Sequence, residues 1–153
     1  MKLFEIEQDI DHPHGTIAML KLRESDQQKL YDWCEENNIP CIDKDKLHCT
    51  VLFSSTPCAH LTKHHKKSLY VPCTVRGWKK LGDALTLHLD APRADRIHRY
   101  MRSQGGSHDY PDFIPHTTVS YKWKKDELPE VHPNFPLTFD LLEVTAIDPD
   151  FGA

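Results

Sequence analysis

Two short stretches 68 residues apart do most to limit the fold. In "LHCTV" (47–51) and "PHTTV" (115–119), His48 and Thr50 stand at the same spacing as His116 and Thr118. The same shift lays Thr16 of the strand-like "GTIAMLKL" (15–22) on Ala84 of "ALTLHLD" (84–90), and Phe53 on Tyr121. A helical segment lies between the strands of each set. One register shared by strand, helix and strand marks an internal duplication, roughly 15–54 and 83–121 within a single domain spanning 1–153. The expected architecture is α+β with two lobes about a pseudo-twofold axis. Each lobe is a mostly antiparallel sheet backed by a helix, with a cleft between the lobes. The segments 69–81 and 137–148 supply one further strand to each half.

The helices carry recognisable ends. Ser25 followed by Gln28 reads as a capping box opening a helix over 25–37, with Leu30, Trp33 and Cys34 on its buried face. Asn37, Asn38 and Pro40 stop it. In the second half Pro92 stands at the first helical position, Ala94, Ile97 and Met101 form an apolar stripe, and Gly105 and Gly106 end the segment.

Strand alternation gives the paired motifs their meaning. Successive side chains face opposite ways, so His48, Thr50 and Leu52 are expected on one face and Cys49, Val51 and Phe53 on the other. Likewise His116, Thr118 and Ser120 oppose Thr117, Val119 and Tyr121. Pseudo-twofold lobes then bring two imidazoles and two hydroxyls to one cleft. Such a set suits phosphodiester cleavage: one neutral imidazole takes a proton from an attacking hydroxyl while the other, protonated, gives one to the departing oxygen. Threonine hydroxyls donate to the non-bridging oxygens as charge builds on them. On an RNA-like substrate the nucleophile is the ribose 2′-OH, and no metal or other cofactor is called for.

Composition bears on the rivals. With 11 histidines a lone His-x-Thr means little, and another copy, His60 and Thr62, lies in a polar basic stretch without strand alternation. Cys58, His60, His64 and His65 are crowded enough to suggest zinc, but their spacing fits no common zinc module. The net charge of −4 argues against a DNA-coating protein held by bulk electrostatics. Five cysteines without tight pairing, and an N-terminus with neither a signal core nor a spanning run, point to a reducing cytoplasmic setting away from membranes.

The two motifs, each on a strand in a strand–helix–strand lobe, resemble the paired His-x-Thr/Ser signatures of the 2H phosphoesterase superfamily, over nearly the whole chain. The short length, the form "FIPHTTVSY" and the C-terminal "FDLLEVTAIDPD" look most like its phage anti-CBASS phosphodiesterase branch. The resemblance implies His48, Thr50, His116 and Thr118 as the catalytic set. It also implies cyclic di- or trinucleotide immune messengers such as 3′,3′-cyclic GMP–AMP as substrate, met in the host bacterial cytoplasm. Processing of linear RNA ends or 2′,3′-cyclic phosphates needs the same four residues and stays open. A cyclic-nucleotide sponge is the non-enzymatic rival, although sequestration alone has no use for acid/base histidines.

A cyclic dinucleotide asks for aromatic faces and a few polar or cationic donors. Trp78, in "VRGWKKLGD" where the family places a covering aromatic residue, is a candidate stacking lid or else a core tryptophan. Tyr121 is a candidate ligand contact whose match to Phe53 also suits the core. Glu143 is placed to receive a base edge or to orient a catalytic group, or it is an ordinary strand carboxylate. Lys122, with Lys124 in "YKWKKDE", and the more distant Arg76 and Arg102, are candidate phosphate guides or solubilising charges.

Overall fold

The computed structural model describes residues 15–55, 65–103 and 112–147. Among these, β1 (Thr16–Leu22), α1 (Glu24–Glu36), a 3-10 turn (Lys44–Lys46) and β2 (His48–Ser54) form the first unit. After β3 (His65–Leu81), the strand β4 (Ala84–Asp90), helix α2 (Pro92–Ser103) and strand β5 (His116–Ser120) form the second. β6 (Leu137–Ala146) closes the sequence of elements. The six strands run in the order β2-β1-β6-β3-β4-β5, each antiparallel to its neighbours.

The strand expected over 69–81 begins earlier and serves both lobes. Its first part, as far as Cys73, pairs with β6; from Thr74 onward it pairs with β4. A 17-residue strand is long enough to belong to two sheets. It therefore splices the lobes together while β2 and β5 remain at the two ends of the strand order and meet across the cleft. Leu20, Leu22, Leu52, Leu85, Leu87 and Phe139 are fully buried between the sheet and the helices. Among the described residues no helix is long and apolar enough to cross a membrane.

The start of α1 departs from the sequence expectation. The helix begins at Glu24, Arg23 holds the N-cap position without a side-chain cap, and Ser25 lies inside the first turn. Asp26 takes over the fastening: buried, it accepts from Arg23 Nε at 2.9 Å and from the Thr138 backbone N–H at 2.8 Å. Hydrogen bonds to a charged acceptor are worth about 1.5–3 kcal/mol each, against about 1 kcal/mol for a serine cap, so the tie to β6 sets the boundary. Leu30 and Cys34 are buried as expected and Trp33 is half-buried. On α2, Ala94 and Met101 are buried and Ile97 half-buried; His98 is buried too, between the expected apolar positions.

Candidate active site

The two motif strands depart from strict alternation at the same place. Ala18 faces Leu52 but Met19 faces Thr50, so Val51 is an extra residue in β2. Leu85 faces Ser120 but Thr86 faces Thr118, so Val119 is the extra residue in β5. Such a bulge reverses which side the following residues face. Leu52 and Ser120, expected beside the histidines, are buried, while Phe53 and Tyr121, expected on the opposite face, line the cleft. The bulges also correct the repeat by one residue, since the partners of Thr50 and Thr118 in β1 and β4 lie 67 apart.

Each bulge is held by the other half of the chain. The Val51 carbonyl accepts from His98 Nδ1–H of α2 at 2.6 Å, and His98 stacks on Phe113 with ring centroids 4.2 Å apart. The Val119 carbonyl accepts from the Ile42 N–H, in the loop ahead of β2, at 2.8 Å. Both valines are fully buried, so their carbonyls need these donors.

The two motif histidines are anchored alike. His48 Nδ1–H donates to the Lys46 carbonyl and His116 Nδ1–H to the Ile114 carbonyl, each at 2.8 Å and each two residues back. A carbonyl can only accept, so the proton is fixed on Nδ1 and Nε2 is left for chemistry. A cleft of about 420 Å³ is lined by His48, Thr50, His116 and Thr118 together with Phe53 and Tyr121. Burial holds His48 below the ordinary imidazole range; the Lys21 and His116 charges add to this, against the Lys46 carbonyl, which favours the charged ring. Burial likewise pushes the Cys49 thiol up to about 12, opposed by the His116 backbone N–H that points at it from β5.

Three groups in or beside the cleft escaped the sequence reading. His88 stands opposite His116 in the register, with ring centroids 6.0 Å apart, and burial followed by the His116 charge lowers its pKa. Lys79 lies opposite Thr86 on the cleft face, and Lys21 lies opposite His48. His88 was legible in principle, because it alternates with Thr86 in "TLHL", but neither residue belongs to a repeated motif.

The expected binding residues divide. Tyr121 lines the cleft, more than half exposed. Trp78 does not: the register sets it opposite Leu87, on the core face, where it packs on Trp33 at 6.2 Å and donates Nε1–H to the Val131 carbonyl at 2.7 Å. Its neighbour Lys79 takes the cleft side, as period-two geometry demands. Glu143 lies opposite Met19, one strand beyond Thr50, with Lys66 Nζ 3.4 Å from its carboxylate. Lys122 is exposed outside the cleft lining, as is Arg102. Lys124 pairs with Asp83 at 2.9 Å and Arg76 with Asp90 at 3.7 Å. Cys58, His60, His64 and the side chain of His65 lie outside the described residues, as do Gly105 and Gly106. Among the described residues no three His, Cys, Asp or Glu side chains are grouped to hold a metal.

Comparison with known proteins sets this geometry in context. The family model described as "Anti-CBASS protein Acb1" matches residues 14–152. The anti-CBASS protein Acb1 of Vibrio phage KVP40 is 31% identical over 120 residues, covering 70% of this chain and 72% of the relative. That of Acinetobacter phage Ac42 is 29% identical over 125 residues, covering 80% and 81%. Among solved structures, Escherichia coli LigT superposes with a TM-score of 0.59 at 15% identity, covering 88% of this chain and 87% of LigT. A structure described as a phosphoesterase has the same TM-score at 16% identity, covering 90% and 91%. At such identities the likeness is one of fold, an α+β arrangement shared over nearly the full length.

Proposed function

The chain belongs to the anti-CBASS Acb1 family, and from that premise we propose that it hydrolyses the 3′–5′ bonds of cyclic di- and trinucleotides made as immune messengers in the infected bacterial cytoplasm. The observation that carries the mechanism is the mirrored anchoring of His48 and His116, each with Nδ1 tied to a carbonyl two residues back and Nε2 left for the shared cleft. His48, held neutral by burial beside Lys21, serves as base and draws the proton from the ribose 2′-OH through Nε2. The 2′-oxygen attacks phosphorus, and His116 Nε2–H protonates the departing 5′-oxygen. Thr50 and Thr118 donate to the non-bridging oxygens, where negative charge accumulates. The resulting 2′,3′-cyclic phosphate is then open to water. Phe53 and Tyr121 offer faces on which a base stacks, Lys79 a cation for the phosphate, and Glu143, two strands from Thr50 in register, an acceptor for a base edge.

The test is incubation with 3′,3′-cyclic GMP–AMP in the presence of EDTA, read by chromatography with mass detection. A linear product is expected from the wild-type chain, with turnover reduced by several powers of ten in His48→Ala and in His116→Ala. Full activity in either variant overturns the assignment. Turnover of a 2′,3′-cyclic-phosphate RNA end alone would move the same chemistry to RNA processing.

A further inference from the structure

Beside the catalytic cleft lies a second one, of about 510 Å³, which shares His48 and Tyr121 with it. The two are thus halves of one groove, divided by a catalytic imidazole and a tyrosine ring. Their chemistry differs. The catalytic half has Phe53, Leu81, Phe113 and Ile114 among its walls, whereas the second half sets Lys21 and Lys46 above Met19 and Ile42. Asp43, the one acidic group among the described residues that line it, lies 3.5 Å from Lys46 Nζ, an exposed pair that screening weakens. No side-chain partner of Lys21 occurs among the described residues, although its register partner is His48 itself. A half-buried lysine with no side-chain partner among the described residues, in a concave site next to the reaction centre, is suited to receive an anion.

We propose that this second half-groove is a phosphate subsite that holds the uncleaved phosphodiester of the substrate's second nucleotide, with Lys21 as its principal cation and Lys46 as its outer one. This rests on the functional reading above, and it adds what that reading lacks: a reason for the site to prefer a ligand with two phosphates over one with a single scissile bond. The macrocycle lies across His48 and Tyr121, one phosphate between the two histidines and the other against Lys21.

The experiment compares KM and kcat for 3′,3′-cyclic GMP–AMP, which has two phosphates, and for the dinucleoside monophosphate GpA, which has only the scissile one. Wild type, Lys21→Met and Lys46→Gln are assayed at pH 8, where His48 is neutral in all three. Lys21→Met is expected to raise KM for the cyclic dinucleotide about tenfold with kcat nearly preserved, equivalent to one lost charge-assisted contact. The KM ratio between the two substrates should fall accordingly, and Lys46→Gln should act in the same direction by a smaller factor. Equal losses on both substrates, or a fall in kcat without a change in KM, would place Lys21 at the scissile bond and overturn the subsite; so would no change at all. If the wild-type chain cuts GpA but leaves the cyclic dinucleotide intact, the functional reading fails. The subsite is then read on the trinucleoside diphosphate GpApA against GpA, with the same split in KM expected and the same failures overturning it.

Discussion

Replacing His98 with phenylalanine removes the contact that holds the first bulge. His98 is 7% exposed, so the substituted ring keeps most of the packing and the stack on Phe113. With the imidazole goes the Nδ1–H donor 2.6 Å from the Val51 carbonyl. Val51 is fully buried, and a buried carbonyl stripped of its donor costs about 1–3 kcal/mol. For a domain of this size each kcal/mol moves Tm by about 2–4 °C, so a mid-range loss of about 2 kcal/mol predicts a fall of about 4–8 °C. The bulge also aims Thr50 and Phe53, so kcat should fall about tenfold as that aim slackens, beyond any loss explained by the unfolded fraction. Thermal unfolding and steady-state turnover at 20 °C, well below Tm, read the two effects separately. A Tm within 1 °C of wild type together with full turnover would show that His98 holds neither the bulge nor the site. Alanine at the same position is the poorer variant, because the cavity it opens would mask the hydrogen-bond contribution.

Removing either hydroxyl, in Thr50→Val or Thr118→Val, should lower kcat by about one to three powers of ten with the fold intact by circular dichroism, as for loss of a single oxyanion donor. Stability should depend on pH in a stated direction. His48 and His88 are both held below the usual value near 6.5, so the unfolded chain binds more protons between the folded values and 6.5. The stabilisation is complete above about pH 6.5 and is lost as pH falls through the depressed values, which urea midpoints at pH 7.5 and 5 would show. The acid limb of kcat/KM should lie below 6.5 and move upward in Lys21→Met. Gly15→Ala should destabilise by more than about 1–3 kcal/mol in urea, since φ is +104° there and an added Cβ would stand 1.9 Å from the Ser54 carbonyl oxygen.

The repeated His-x-Thr motif, the strand–helix–strand order around it and the four catalytic candidates were legible in the sequence, because each depends on local periodicity. Period-two alternation places His48 with Thr50, and His116 with Thr118, whatever the strands pack against. Past those residues local rules no longer suffice. Alternation predicts Leu52 on the cleft and Phe53 in the core, and the extra residue Val51 reverses both, as Val119 does for Ser120 and Tyr121. A bulge is stable only if its displaced carbonyl finds a donor, and here the donors are His98 and Ile42, 47 and 77 residues away in the chain from the valines they serve. Neither pairing leaves a signal in either sequence neighbourhood.

The same division runs through the rest of the molecule. The capping box at Ser25 was a sound local signal, outweighed by a buried carboxylate bonded to Thr138, a residue 112 positions away. The Gly- and Lys-rich stretch around Trp78 allows either a ligand-facing aromatic or a core tryptophan, and only the pairing of β3 with β4 turns it onto Trp33 and brings Lys79 to the cleft. Short-range geometry, encoded by neighbours in the chain, thus determined which side chains are the candidates for the chemistry. Long-range pairing decided what surrounds them, because the register of a strand and the satisfaction of a buried carbonyl are settled by partners that the linear order does not place side by side.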